Sequence, residues 1–183
     1  DLPRAKTRIS LLKLFSRQVL LTDLHVSGLS AKLVRRKRPR TPSSSAEPWK
    51  LRFENLTLAQ IKLLQLDQWA YRGGAEIRGG FALTPGRLLE ITPTRLTLAQ
   101  GGQVEGMFPE IAGWVGITIR PFEISEESKA PIFPYLDIES QLKGQVSHLG
   151  WLKTVLSAAP GLELEEKPGP FEALVKVDHG VFK

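Results

Sequence analysis

Apolar and polar residues alternate with a period of two along most of the chain. Leu96 and Leu98 are predicted to face one way while Arg95 and Thr97 face the other, and the same alternation runs through 115–119. Successive side chains of a β-strand lie on opposite faces of the sheet. Turn signals recur at a spacing of about 10 residues, which is typical of sheets and not of alternating strands and helices. The pattern therefore predicts a mostly β protein.

The alternation changes phase at several points. Four residues of the stretch 19–34 are predicted to share one face: Leu20, Thr22, Leu24 and Val26. After Gly28 the apolar register resumes one residue out of phase, and from residue 49 it continues in short groups that are each offset by one residue. A β-bulge adds one residue to a strand and bends it, so these offsets predict bulged strands.

Glycine pairs at 73–74 and 101–102 separate the strand patterns. Paired glycines favour turns, so we expect both pairs to connect neighbouring strands. Neither pair precedes a helical pattern, so we expect no phosphate-binding loop at these glycines.

One stretch departs from period two, since residues 148–159 carry apolar side chains at helical spacing and Pro160-Gly161 follows. An amphipathic helix of that length is about 18 Å long. It cannot cover a sheet of eight or more strands spaced about 4.8 Å apart. Either the sheet folds on itself as a sandwich or barrel, or part of its apolar face stays open. We expect a curved antiparallel sheet that forms an open groove or taco-like half-barrel.

Apolar residues on the predicted strands are the candidates to line such a groove, with membership of an ordinary core as the alternative. The ten candidates are Leu51, Phe53, Leu56, Leu58, Phe81, Leu83, Leu96, Leu98, Ile117 and Ile119. An exposed apolar surface of this kind suits acyl chains or the hydrophobic surface of a partner.

Length and charge sharpen the picture. A chain of 183 residues fits one unit over 1–183, which we expect to be a segment of a larger protein. Its net charge of +6 is uneven, because residues 1–50 carry +9 and the basic residues are densest in a Pro/Ser-rich loop at 35–48. Its cations are candidates to contact anionic lipid: Arg35, Arg36, Lys37, Arg38 and Arg40. A solvated hairpin loop is the plain alternative. No aromatic residue interleaves the run, so nucleic acid is not an expected partner.

Catalytic and metal-binding patterns are missing from the sequence. The three histidines, His25, His148 and His179, are far apart, and cysteine is absent. We find no zinc-ligand spacing, no nucleophile elbow and no phosphate-binding lysine motif. Asp137 and Glu139 share a predicted strand face, which a solvated surface explains without catalysis. We expect no enzyme, no cofactor and no metal site.

Two segments carry a resemblance to a known family. Residues 9–33 resemble the N-terminal repeat unit of AsmA-like envelope proteins, in which an apolar segment precedes a strand, a glycine and a second strand ending in basic residues. Residues 149–180 are similar to the helix-then-hairpin unit of the same proteins. The resemblance implies the AsmA/TamB superfamily of Gram-negative envelope proteins, which have taco-shaped β-grooves and no catalytic residues to carry over. It also implies the periplasm and an inner-membrane anchor outside this sequence.

Two functions follow as hypotheses. The first is a groove that binds or conducts phospholipid acyl chains between membranes, or supports outer-membrane homeostasis. The second is a non-catalytic scaffold or adaptor that binds an envelope protein through a sheet edge or the apolar face.

Overall fold

The fold is a single large β-sheet. A computed structural model describes residues 4–33, 48–66, 69–85, 87–123, 132–148 and 167–183. Within these residues ten strands join into one sheet that is not closed into a barrel, as the sequence predicts. The amphipathic helix expected near 148–159 lies beyond residue 148, outside the described residues. No helix in the described ranges is long and apolar enough to cross a bilayer.

The strands follow one another across the sheet almost in sequence order. The elements are β1 (Arg4–Ile9), α1 (Leu11–Leu14), β2 (Gln18–Ser27), β3 (Ser30–Leu33), β4 (Lys50–Leu66), β5 (Trp69–Thr84), β6 (Leu88–Val104), β7 (Phe108–Glu123), a 3₁₀ turn (Phe133–Tyr135), β8 (Leu136–Val146), β9 (Gly169–Asp178) and β10 (Val181–Phe182). The spatial order is β1-β2-β4-β5-β6-β7-β8-β9-β10, and β3 also pairs with β4.

The sheet is antiparallel except at β4, where the sequence-based expectation needs correction. Both β2 and β3 run parallel to β4. A parallel pair requires a connection that crosses from one end of the sheet to the other, usually of a dozen or more residues. β3 ends at Leu33 and β4 begins at Lys50 at the opposite end, so the sequence between them joins opposite ends and does not close a hairpin.

Bulges bend the first strands, as the phase shifts predict. Asp23, Asn55 and Gln60 each adopt a positive φ of 51–54° where the register with the neighbouring antiparallel strand shifts. Because of the bulge at Asp23, the face predicted for Leu20 and Thr22 of β2 is wrong. Val19 and Leu21 lie opposite Leu51 and Phe53 of β4, so they occupy the apolar face. Two residues predicted to be there, Leu20 and Thr22, lie opposite Arg52 and Glu54 on the other face.

The two glycine pairs lie inside strands and not in turns. Residues 73–74 belong to β5 and residues 101–102 to β6. The side chain of Tyr71 explains Gly102 of the second pair, because a Cβ there would stand 2.4 Å from the Tyr71 hydroxyl oxygen. A glycine within a strand often marks a bulge or a close approach of this kind. β5 and β6 are therefore long strands of 16 and 17 residues.

A small cluster of buried side chains lies toward one end of the sheet. It contains Ile61, Tyr71, Ala75 and Ile111, and Ile61 has no exposed surface. Half-buried residues on β6 and β8, among them Leu98, pack against it. Most other apolar residues of the strands are half-buried, as expected where one layer of sheet carries the hydrophobic surface.

Candidate functional site

The ten predicted lining residues all lie on one face of the sheet, which we call the apolar face. Strand pairing establishes this, because directly paired residues point to the same side. Ile77 of β5 stands opposite Leu58 of β4 and opposite Leu96 of β6. In the same way, Phe81 stands opposite Phe53, and the alternation carries the face through β7.

Nine of the ten residues are half-buried, and Ile119 is buried with 7% of its surface exposed. A fully sealed core would leave these side chains without exposed surface, as it does Ile61. A bare surface would leave them largely open, as Leu174 is on the opposite face at 76%. The apolar face therefore combines lateral packing along the sheet with exposure of each side chain.

Further residues extend the apolar face across the whole sheet. They continue the same cross-strand rows and include Val26, Ile77, Ile91, Val115, Leu136, Ile138, Leu142 and Val177. The signal that identifies them is the same period-two alternation, applied to the partner strands.

Aromatic side chains strengthen two places on this face. The rings of Phe53 and Phe81 stack with centroids 4.6 Å apart and planes inclined by 23°. Near the other end of the strands, Phe108 and Phe171 meet at 5.2 Å. Phe171 lies opposite Gly144, which has no side chain between the two rings. These pairs hold neighbouring strands together through side-chain contact.

The opposite face is polar. The Arg95 guanidinium lies over the Trp114 ring at 4.1 Å from its centroid, and Glu139 stands opposite Lys176. Two depressions formed by described residues, of about 530 and 560 Å³, are lined largely by side chains of this face. They are wide and charged, which suits water and not an acyl chain.

The predicted anionic-lipid contacts cannot be placed on either face. These residues, Arg35, Arg36, Lys37, Arg38 and Arg40, lie outside the described residues, as does the rest of the loop up to residue 47. The strands beside the loop show only that it joins the end of β3 to the start of β4.

One cluster of ligand-type side chains forms where β8 begins and β9 ends. Asp137, Asp178 and His179 have ligand atoms within 4.8 Å of one another. Asp137 accepts hydrogen bonds from Arg120 at 3.2 Å and from the backbone N–H of His179 at 2.8 Å. A hydrogen bond with the His179 ring lowers the pKa of Asp178. These carboxylates are thus already satisfied by cationic and N–H partners, and the geometry is that of an ion-pair network.

Comparison with known proteins identifies no family for this chain. No protein-family model, no curated protein and no solved structure matches the chain. The family resemblance of residues 9–33 and 149–180 stays a prediction, and any function has to be argued from the sheet itself.

Proposed function

We propose that the apolar face binds lipid acyl chains, and that the chain is a non-catalytic β-groove segment of an AsmA-like envelope protein. The observation that carries the proposal is the sharing of one face by all ten candidate residues on a sheet that is not closed. The periplasm and transport between membranes belong to the same proposal, through the family resemblance.

Acyl chains match this surface chemically. Each methylene group moved from water to an apolar surface contributes about 0.8 kcal/mol, and no polar partner is needed. Leu58, Ile77 and Leu96 form a cross-strand row that offers such a surface. The polar side chains of the other face keep the opposite side of the sheet in water.

The dimensions are also suitable. β6 has 17 residues, and at about 3.3 Å per residue it spans about 50 Å once its bulges are allowed for. The hydrocarbon core of a bilayer is about 30 Å thick. The apolar face is therefore longer than one acyl chain, as a conducting surface requires.

Native mass spectrometry of the protein extracted from bacterial membranes tests the proposal. We expect phospholipid to remain bound to the wild-type chain. The triple variant Leu58→Ser/Ile77→Ser/Leu96→Ser should retain much less lipid, while Leu174→Ser on the other face should retain it fully. Circular dichroism confirms that each variant is folded. Wild-type protein that carries no lipid from any extraction contradicts the proposal.

A scaffold that binds a protein strand is the second candidate. Its support is the β9 edge, of which β10 and Lys183 cover only residues 176–178 among the described residues. An uncovered edge can accept another strand. The other edge is less suitable, because β1 places Arg4, Lys6 and Arg8 at every second position and charges of this kind oppose edge pairing. Protein recovered with a bound peptide in place of lipid supports this second candidate.

A further inference from the structure

Exposed apolar side chains gather at one end of the sheet. At this end β1, β5, β7 and β9 finish while β2, β4, β6 and β8 begin. We call the rim the terminal residue of each of these eight strands at this end together with the described residues there that lie outside the eight strands, including β10 and Lys183. Nine of the eleven large apolar side chains that are exposed in the described ranges belong to the rim. They are Ile9, Leu11, Leu12, Phe15, Trp49, Phe133, Tyr135, Val181 and Phe182.

The most exposed of them come from the short α1 turn between β1 and β2. Leu12 is 82% exposed and Phe15 is 91% exposed, with Leu11 beside them at 69%. Such side chains have no packing role in the sheet, and contiguous exposed apolar groups mark interaction sites. The Leu14 side chain of the same turn is half-buried, so the turn has an inner and an outer side.

The charges of the rim indicate what it contacts. Its described residues include five cations, Lys13, Arg17, Lys50, Arg87 and Lys183, against the two acids Glu123 and Asp178. Lys13, Lys50 and Arg87 form no ion pair among the described residues.

Apolar side chains mixed with cations, together with Trp49 and Tyr135, are the composition of a membrane interface. Tryptophan and tyrosine prefer the headgroup level of a bilayer, where an apolar ring and a polar tip are both satisfied. Lysine and arginine extend their charged ends to anionic headgroups while their stems stay in contact with apolar groups.

We propose that the rim docks the sheet end-on to the surface of a bilayer that contains anionic lipid. Leu11, Leu12 and Phe15 insert into the headgroup boundary, and the surrounding cations hold the anionic headgroups. The inserting side chains, Leu11, Leu12 and Phe15, do not belong to the apolar face. Docking by the rim does not require the apolar face to hold lipid.

Vesicle flotation tests the rim. The probes are vesicles of phosphatidylcholine alone and of phosphatidylcholine mixed with phosphatidylglycerol. Wild-type protein should float with the mixed vesicles and more weakly with the neutral ones. The variant Leu12→Ser/Phe15→Ser removes two inserted side chains. Each contributes a factor of about ten to the partition coefficient, so the partition coefficient of the variant should fall about 100-fold. The matched control Leu174→Ser removes an equally exposed leucine from the polar face and should float like the wild type.

Two further experiments distinguish lipid binding by the rim from lipid binding by the basic loop or the apolar face. A variant with Gln at the five cations of the basic loop should still lose binding when Leu12→Ser/Phe15→Ser is added. The lipid retained in native mass spectrometry should be the same in Leu12→Ser/Phe15→Ser as in the wild type, so a failure of the rim is distinguishable from a failure of the apolar face. Equal flotation of the rim variant and the wild type overturns the proposal. Failure of the wild type to float with either vesicle also overturns it and leaves a protein as the partner of the rim.

Discussion

Asn55 of β4 donates a hydrogen bond from its side-chain amide to the carboxylate of Asp23 in β2, at 3.1 Å. Both residues adopt the left-handed conformation, with φ of 51° and 54°. The extra residues of two parallel strands therefore stand at the same level and pair with each other. The register of β5 with β6 shifts nearby, between Arg78 and Gly80. A line of bulges across several strands bends the sheet as a whole.

The Asn55 bulge makes a specific prediction about stability. Alanine at this position keeps the positive φ at a cost of about 1–2 kcal/mol and loses the hydrogen bond to Asp23. Glycine loses the hydrogen bond but adopts the φ freely. Urea unfolding should show Asn55→Ala to be the less stable of the two by about 1 kcal/mol. Equal stability of the two variants contradicts the left-handed bulge.

The close approach of Tyr71 to Gly102 is testable in the same way. Alanine at 102 places its Cβ within 2.4 Å of the Tyr71 hydroxyl oxygen, and the ring is 7% exposed with little room to move. We expect Gly102→Ala to lower the free energy of unfolding by about 1–3 kcal/mol. Gly169→Ala is the control, since its Cβ meets nothing within 4 Å, and it should change stability by less than about 0.5 kcal/mol. A tolerated alanine at 102 removes the explanation of Gly102 in β6.

Because of Tyr71, we also expect the free energy of unfolding to depend on pH in the alkaline range. Burial raises its pKa above the usual value of about 10, and its hydroxyl donates to the Gly74 carbonyl at 2.9 Å. Because the pKa is higher in the folded state, this contribution to stability is complete below pH of about 10 and is lost as the pH rises through the folded pKa. The free energy of unfolding should therefore fall above that pH, and less steeply in Tyr71→Phe.

Ultraviolet titration provides the matching measurement. The chain has two tyrosines, so Tyr135→Phe leaves Tyr71 as the only one. Its tyrosinate absorbance should develop with a midpoint above that of the unfolded chain in urea. Identical midpoints in the folded and unfolded chains would show that Tyr71 is not buried.

Arg120 connects three parts of the rim end of the sheet. Its guanidinium donates to the Pro134 carbonyl at 3.1 Å and to the Asp137 carboxylate at 3.2 Å, and it contacts the His179 ring. Both members of the ion pair are about one-third exposed. Screening by solvent reduces the stabilisation that such a pair provides, so Arg120→Met should lower the free energy of unfolding by about 1 kcal/mol.

The control for Arg120 is an ion pair in open solvent. Arg8 meets Asp23 at 3.5 Å and is 82% exposed, so Arg8→Met should cost no more than a few tenths of a kcal/mol. Hydrogen exchange should also become faster at residues 133–135 in Arg120→Met alone. An Arg120 variant as stable as the Arg8 variant contradicts the connecting role.

The alternation of residues such as Leu96 and Thr97 was sufficient to predict the mostly β fold and the composition of the apolar face. It failed where conformation depends on a neighbouring strand. The sequence around Asp23 contains no glycine to mark the bulge, so the alternation places Leu20 and Thr22 on the wrong face. The pair at 101–102 has the residues of a turn, and only the position of Tyr71 on the adjacent strand shows why a glycine is needed inside β6.

The parallel pairing of β2 with β4 was also beyond the sequence pattern. Period-two alternation is the same in parallel and antiparallel strands, and only the long connection after Leu33 hinted at a crossover. The rim is similar, since Leu12 and Phe15 fit a strand, a helix or a core equally well until their exposure is known.

Photo-crosslinking in bacterial membranes tests the central claim most directly. A benzophenone amino acid replaces Leu96 on the apolar face in one variant and Thr97, the next residue on the polar face, in another. If acyl chains occupy the apolar face, illumination should attach phospholipid to the variant at 96 and not to the variant at 97. No lipid adduct at 96, or equal adducts at both positions, would contradict the account.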